Sequence, residues 1–293
     1  MGKFTYHYNA SALGLGGVLT DDRDATTIVP SLASVALAPT GGEGFIEVTN
    51  YNKDGVSFSN ASSHIVGYDT AYRTFTTSSD VYITNLNLFG RVKVAILQTS
   101  ISSTREVLES GEMTTESNPD KACFSMHSMI RGLTIDGVEV IPQFDLDLVE
   151  SPTYEQFTRK IGGAHEKYAE QFGVTKDELQ QVLDAKTEPI CASFVNALQY
   201  KQGSTIGPHQ GCKLPVKNFG TIHFGELVVK PGTRRVNLLR FVFDSTLTFD
   251  DRLLVNPTVM FRSAADSDLT SSSPLKGTMT VISEHSNGAP SWP

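Results

Sequence analysis

Thr221–Phe243 reads TIHFGELVVKPGTRRVNLLRFVF, two strand-like runs on either side of Lys230-Pro231-Gly232-Thr233. Proline presets φ at the first central position of a turn, and glycine tolerates the positive φ that a type II turn needs at the second. The stretch therefore reads as a β-hairpin, and it points to antiparallel sheet built from local turns.

Each run carries a charge among apolar side chains. Glu226 shares parity with Ile222, Phe224 and Val228; Arg240 shares parity with Val236, Leu238 and Val242. An unpaired charge on such a face is costly, so a Glu226–Arg240 ion pair is expected. Two registers are open. With Lys230 opposite Thr233, His223 falls opposite Arg240. With Lys230 opposite Arg234, Phe224 falls opposite Arg240, and Glu226 becomes its diagonal neighbour. The apolar pattern favours the second register, because it gathers the six apolar residues named above on one face. Residues three apart point to opposite faces of a regular strand. His223 and Glu226 are thus expected on opposite faces, unless Gly225 forms a bulge that resets the alternation.

Just upstream, Gly207-Pro208-His209-Gln210-Gly211 reads as a tight loop, with Cys212 at the start of extended chain. A zinc site built from His209, Cys212, His223 and Glu226 would need this loop folded onto the strand, and the spacing matches no zinc signature. No metal is assigned. His209 and Cys212 remain weak candidate ligands, together with Asp145 and Asp147. In Phe144–Leu148 (FDLDL) a strand reading places those two carboxylates on one face, about 7 Å apart. Such a pair can hold a cation or share acid–base work, although a solvent-facing strand surface is the favoured reading. Arg234–Arg235, an adjacent basic pair, reads as a solvated hairpin end.

Further from the hairpin, the first 150 residues read as strands and turns. Phe45–Tyr51 leads into Asn52-Lys53-Asp54-Gly55, whose Asp-Gly suits a tight hairpin. Val81–Leu88 alternates with a slip at Thr84, and Phe89-Gly90 bends the chain before Arg91–Leu97. Asn85–Val94 and Gly132–Val140 echo each other as strand, glycine turn, strand, which is repeated hairpin chemistry rather than a solenoid. Glu109–Asp120 and Asp266–Pro274 read as polar loops. Further strands are expected in Ile190–Tyr200, where Ile190, Ala192, Phe194, Leu198 and Tyr200 share one parity and a helix is the alternative, and in Leu253–Phe261 and Thr278–Ile282. Trp292, the single tryptophan, is placed to anchor the end of the chain.

Residues 151–188 break the pattern with helix grammar. Thr153 with Gln156 and Thr175 with Glu178 are capping boxes. Gly162-Gly163 and Gly173 stop the first two helices, and Glu188-Pro189 follows the third. The fold class is therefore mainly β: one large antiparallel sandwich or barrel-like domain over residues 1–293, with a short helical insertion at about 153–186. Strand and helix do not alternate as in βαβ folds.

The 293 residues are 39% hydrophobic with a formal net charge of −8, enough apolar material for a sizeable core and the wrong sign for a phosphate backbone. No nucleic-acid partner is expected. No membrane partner is expected either, since no apolar run is long enough to span a bilayer. Cys123, Cys191 and Cys212 are odd in number and widely spaced, which suits a reducing, cytoplasmic setting. Nucleotide-binding glycine motifs, the nucleophile-elbow pentapeptide and His-Glu-x-x-His are all missing. The leading expectation is a soluble, cofactor-free protein that works by self-association or by binding a partner or a small hydrophobic ligand. The alternative is a cofactor-independent cyclase, isomerase or lyase, with Glu226, Arg240, His223 and His209 as its catalytic groups.

Overall fold

The computed structural model describes residues 5–20, 26–70, 74–106, 123–172, 175–185, 189–200, 206–207, 212–244 and 276–291. The strands are β1 (Thr5–Thr20), β2 (Thr26–Ala36), β3 (Gly42–Lys53), β4 (Val56–Asp69), β5 (Thr74–Leu88), β6 (Val92–Glu106), β7 (Cys123–Arg131), β8 (Thr134–Ile135), β9 (Val138–Phe144), β10 (Ile190–Ser193), β11 (Val195–Tyr200), β12 (Lys213–Val216), β13 (Gly220–Lys230), β14 (Thr233–Asp244) and β15 (Lys276–Ser291). The helices are α1 (Leu146–Val149), α2 (Tyr154–Gly163), α3 (His165–Phe172) and α4 (Lys176–Ala185). The expected strand at Leu253–Phe261, both polar loops, His209 and Trp292 lie outside the described residues.

The strands form two antiparallel sheets. One has the order β10-β13-β14-β15-β1-β2, with β12 also on β13; the other has the order β11-β9-β8-β6-β5-β4-β3, with β7 also on β6. β1, β2 and β15 pack across β4, β5 and β6, so the architecture is a sandwich, and among the described residues the sheets do not close into a barrel. The inner faces bury Leu15, Ile65, Val81, Ile83, Leu97 and Val281 almost completely. Ile190–Tyr200 is not one strand of single parity. It bends at Phe194, so that β10 lies in one sheet and β11 in the other. Backbone bonds fix that corner: Phe194 N donates to Gly225 O at 3.0 Å, and Asp145 N donates to Phe194 O at 2.7 Å.

Both sheets share a crease. In the first, pairing runs Phe224↔Leu239 and Glu226↔Asn237, then Leu239↔Val281, Leu13↔Ser283 and Leu15↔Leu32. The residues skipped, Gly225, Leu238, Ile282, Gly14 and Ala33, line up across the strands. In the second sheet the skipped line is Asn50, Ser59, Asn85, Ala95 and Gly132. Alternate members are left-handed: Gly225 (φ 57°), Ile282 (57°) and Ala33 (50°) in one sheet; Asn50 (53°), Asn85 (52°) and Gly132 (63°) in the other. Each left-handed residue faces one that is not, so the hydrogen-bond register continues while the side-chain alternation resets. Hence β4 buries Val56 and Phe58 before the crease but Ala61, Ser63 and Ile65 after it. β13 likewise buries Ile222 and Phe224, then Leu227 and Val229.

The helical insertion forms where its caps place it. Thr153 Oγ1 accepts from Gln156 N at 3.2 Å, and Thr175 and Glu178 cap each other reciprocally. Tyr154, Phe157 and Ile161 form the buried stripe of α2. Arg234 secures this block to the sheet. Its guanidinium lies over Phe124 and Phe157, 4.9 and 5.5 Å from the ring centroids, and Nη2 donates to Thr153 O. The solvated hairpin end expected for Arg234 is thus corrected: the residue is 2% exposed, and burial pushes its pKa down to about 10.

Candidate functional site

Pro231-Gly232 makes the tight turn, with Gly232 at φ 70°, and Lys230 pairs with Thr233. This is the register that the apolar pattern argued against. That pattern assumed unbroken alternation, and the left-handed Gly225 breaks it. The same break brings His223 and Glu226 onto one face, against the expectation for a regular strand. Glycine is required there for space as well as for φ. A Cβ at Gly225 would stand 2.9 Å from Val195 Cγ2 and 3.2 Å from the Phe194 ring.

On the outer face of β13 and β14, Glu226 and Arg240 form a two-pronged pair. Arg240 Nη2 donates to Oε1 at 2.5 Å, and Nε donates to Oε2 at 2.8 Å. Asn237 Nδ2 approaches Oε2 at 3.4 Å. His223, directly opposite Arg240, receives Arg240 Nη2 on Nδ1 at 3.0 Å; Glu226 Oε1 lies 3.3 Å from the same nitrogen. Nδ1 cannot both accept and donate. Accepting from Arg240 makes His223 a neutral imidazole with its proton on Nε2, an assignment that rests on the hydrogen-bond network.

The electrostatics agree. Burial works to raise the Glu226 pKa, but the hydrogen bonds and charge of Arg240 hold it well below the usual carboxylate range. Burial drives the His223 pKa down, and Arg240 adds to that while Glu226 opposes it. Arg240 itself is held above its ordinary value, because Glu226 outweighs the cost of burial. The Glu226 and Arg240 side chains are 23% and 25% exposed, so the pair sits in a partly desolvated setting where charge-assisted, bidentate bonds are strongest.

Cys212 is close by and buried. Its carbonyl accepts from Phe224 N at 3.0 Å, and burial pushes its thiol pKa up, opposed by a hydrogen bond from Ser193. A protonated, buried thiol is a poor metal ligand or nucleophile. Ser193 pairs with Glu226 across β10, and Lys213 pairs with His223 across β12. Parity within the hairpin could not show these neighbours, because they come from other strands.

Asp145 and Asp147 are separated by a change of secondary structure, not joined by a strand. β9 ends at Phe144, and Asp145 caps α1. Asp145 also accepts from Lys167 Nζ at 2.6 Å and from Tyr168 Oη at 3.1 Å. Burial pushes its pKa up, and Lys167 with the cap bonds more than reverses this, leaving it below the ordinary value. Asp147 is 88% exposed. The strand-face carboxylate pair is therefore corrected. The Asp-x-Asp pattern fits a helix start as well as a strand, since Asp is a strong N-cap. Among the described residues, no group of three or more His, Cys, Asp or Glu could hold a metal ion.

Sequence reasoning passed over one buried acid. Glu284 is 0% exposed on the inner face of β15. Burial, reinforced by Asp80, raises its pKa well above the ordinary value, against a backbone hydrogen bond from Val81 that works to lower it. Its position in the run Val281-Ile282-Ser283-Glu284 was the available signal, hidden because Ile282 resets the alternation there.

No described helix is long and apolar enough to cross a membrane. Residues 4–230 match a family model described as a domain of unknown function, DUF8256. Neither the curated proteins nor the solved structures contain a match.

Proposed function

This chain belongs to the DUF8256 family, and we propose that it works by binding another protein surface, in the first place a second copy of itself. The observation that carries this reading is the edge strand β3. It runs for 12 residues at the end of its sheet, with no proline in it, and presents Phe45 at 63% exposure. Long, open edges invite pairing, and native proteins blunt them when association is to be avoided. The edge of the other sheet is blunted in this way: β2 carries Pro30 and the left-handed Ala33. An exposed aromatic ringed by polar groups is also the usual anchor of a protein interface.

The acid–base alternative has weaker support. Glu226 already accepts from both nitrogens of Arg240, and Asp145 is engaged by a cap, a lysine and a tyrosine. A carboxylate so occupied is a poor proton acceptor at neutral pH. The test is Phe45→Asp. It is expected to abolish association, read by light scattering on a sizing column, while the melting temperature stays within a few degrees of the parent. Association unchanged in this variant would overturn the role of the β3 surface.

A further inference from the structure

The two outer faces of the sandwich differ in charge. On the face formed by β12, β13 and β14 lie Lys213, Lys230, Arg235 and Arg240, with the carboxylate of Glu226 among them. On the opposite outer face, on β3, β4 and β5, lie Glu43, Glu47 and Asp80, with His64 among them. Glu43 is 68% exposed and bonds His64 Nε2 at 2.9 Å. Asp80 pairs with His64 across the strands, and Phe45 pairs with His64 on its other side, ring centroids 6.4 Å apart. Beyond the crease the same sheet carries Lys93, and on the near side Arg131 stands apart on β7, so the acidic patch is local to β3–β5. A basic patch on a chain of net charge −8 is likewise a local arrangement.

We propose that copies of this chain associate head to tail, with the basic β12–β14 face of one seated on the acidic β3–β5 face of the next and Phe45 at the centre of the contact. The inference rests on the self-association reading above and gives it a geometry. A two-fold contact through either face would set like charge against like, which disfavours docking. The opposite pairing joins complementary potentials. Because the faces lie on different sheets, one copy can use both at once. Such heterologous contacts build a ring when the rotation closes and a filament when it does not. On the basic face, the half-buried Val228 offers apolar surface between Cys191 and Arg235 for the phenylalanine ring.

The experiment uses two charge-reversed full-length chains, Glu43→Lys/Glu47→Lys and Lys213→Glu/Lys230→Glu, at surface positions outside the core. Sedimentation velocity is expected to show each variant monomeric alone, and an equimolar mixture is expected to restore association from a dimer upward. In the parent, association should weaken at least tenfold between about 50 and 500 mM salt, because exposed charges are screened. Variants that each assemble like the parent, a mixture that stays monomeric, or salt-independent association would overturn the head-to-tail contact while leaving self-association standing. A parent chain that is monomeric throughout would overturn the reading beneath it as well.

Discussion

At the scale of single residues, the hairpin site is a neutralised cluster in which each charge depends on its partner. Arg240→Met leaves Glu226 partly buried with its main counter-charge gone. The expected cost is about 3 kcal/mol in urea unfolding, since removing one partner of a desolvated pair is far worse than removing both. The double variant Glu226→Gln/Arg240→Met should recover most of that loss. The pH dependence has a definite sign. His223 and Glu226 both have folded pKa values below their ordinary 6.5 and 4.5. The unfolded chain therefore binds protons first, and stability falls as pH drops below about 6.5 and again below about 4.5. Glu284 acts in the opposite direction. Its raised pKa gives a contribution that is complete below about 4.5 and lost as pH rises. Glu284→Gln is accordingly expected to stabilise the fold at pH 7, with little effect near pH 4 in the same unfolding assay. The Glu226–Arg240 proximity was legible because a charge amid apolar side chains needs a partner. The register that delivers it was not, because nothing in the composition of the strand reveals the φ of Gly225.

At the scale of elements, the crease decides which side chains meet. Gly225→Ala must place a Cβ in the left-handed region and against Val195 and Phe194, so it is expected to cost at least about 1–2 kcal/mol. It should also lower the melting temperature without changing the strand content seen by circular dichroism. The starts of α2 and α4 were readable almost to the residue, because Thr153, Thr175 and their glutamine and glutamate partners announce them locally. The Phe144–Leu148 stretch was misread because a five-residue window cannot separate strand alternation from an Asp cap. The slip at Thr84 in the alternation of Val81–Leu88 was the visible trace of the crease at Asn85. Asparagine tolerates left-handed φ, so Asn50 and Asn85 were readable in principle. Ala33 and Ile282 were not, since neither residue type favours that conformation.

At the scale of the whole molecule, antiparallel sheet and the absence of βαβ units followed from turn spacing and alternation. The choice between sandwich and barrel did not, because it depends on how the sheets end: on the corner at Phe194, where β10 passes into β11, and on the separate edges β2 and β3. Those edges lead to the functional reading. One is broken by proline and a left-handed alanine, and the other is long, open and centred on an exposed phenylalanine. The most direct measurement is sedimentation velocity of the intact chain over a hundredfold range of concentration at moderate salt. The account predicts species larger than the 31.8 kDa chain, growing with concentration. A single 31.8 kDa species at every concentration would contradict it.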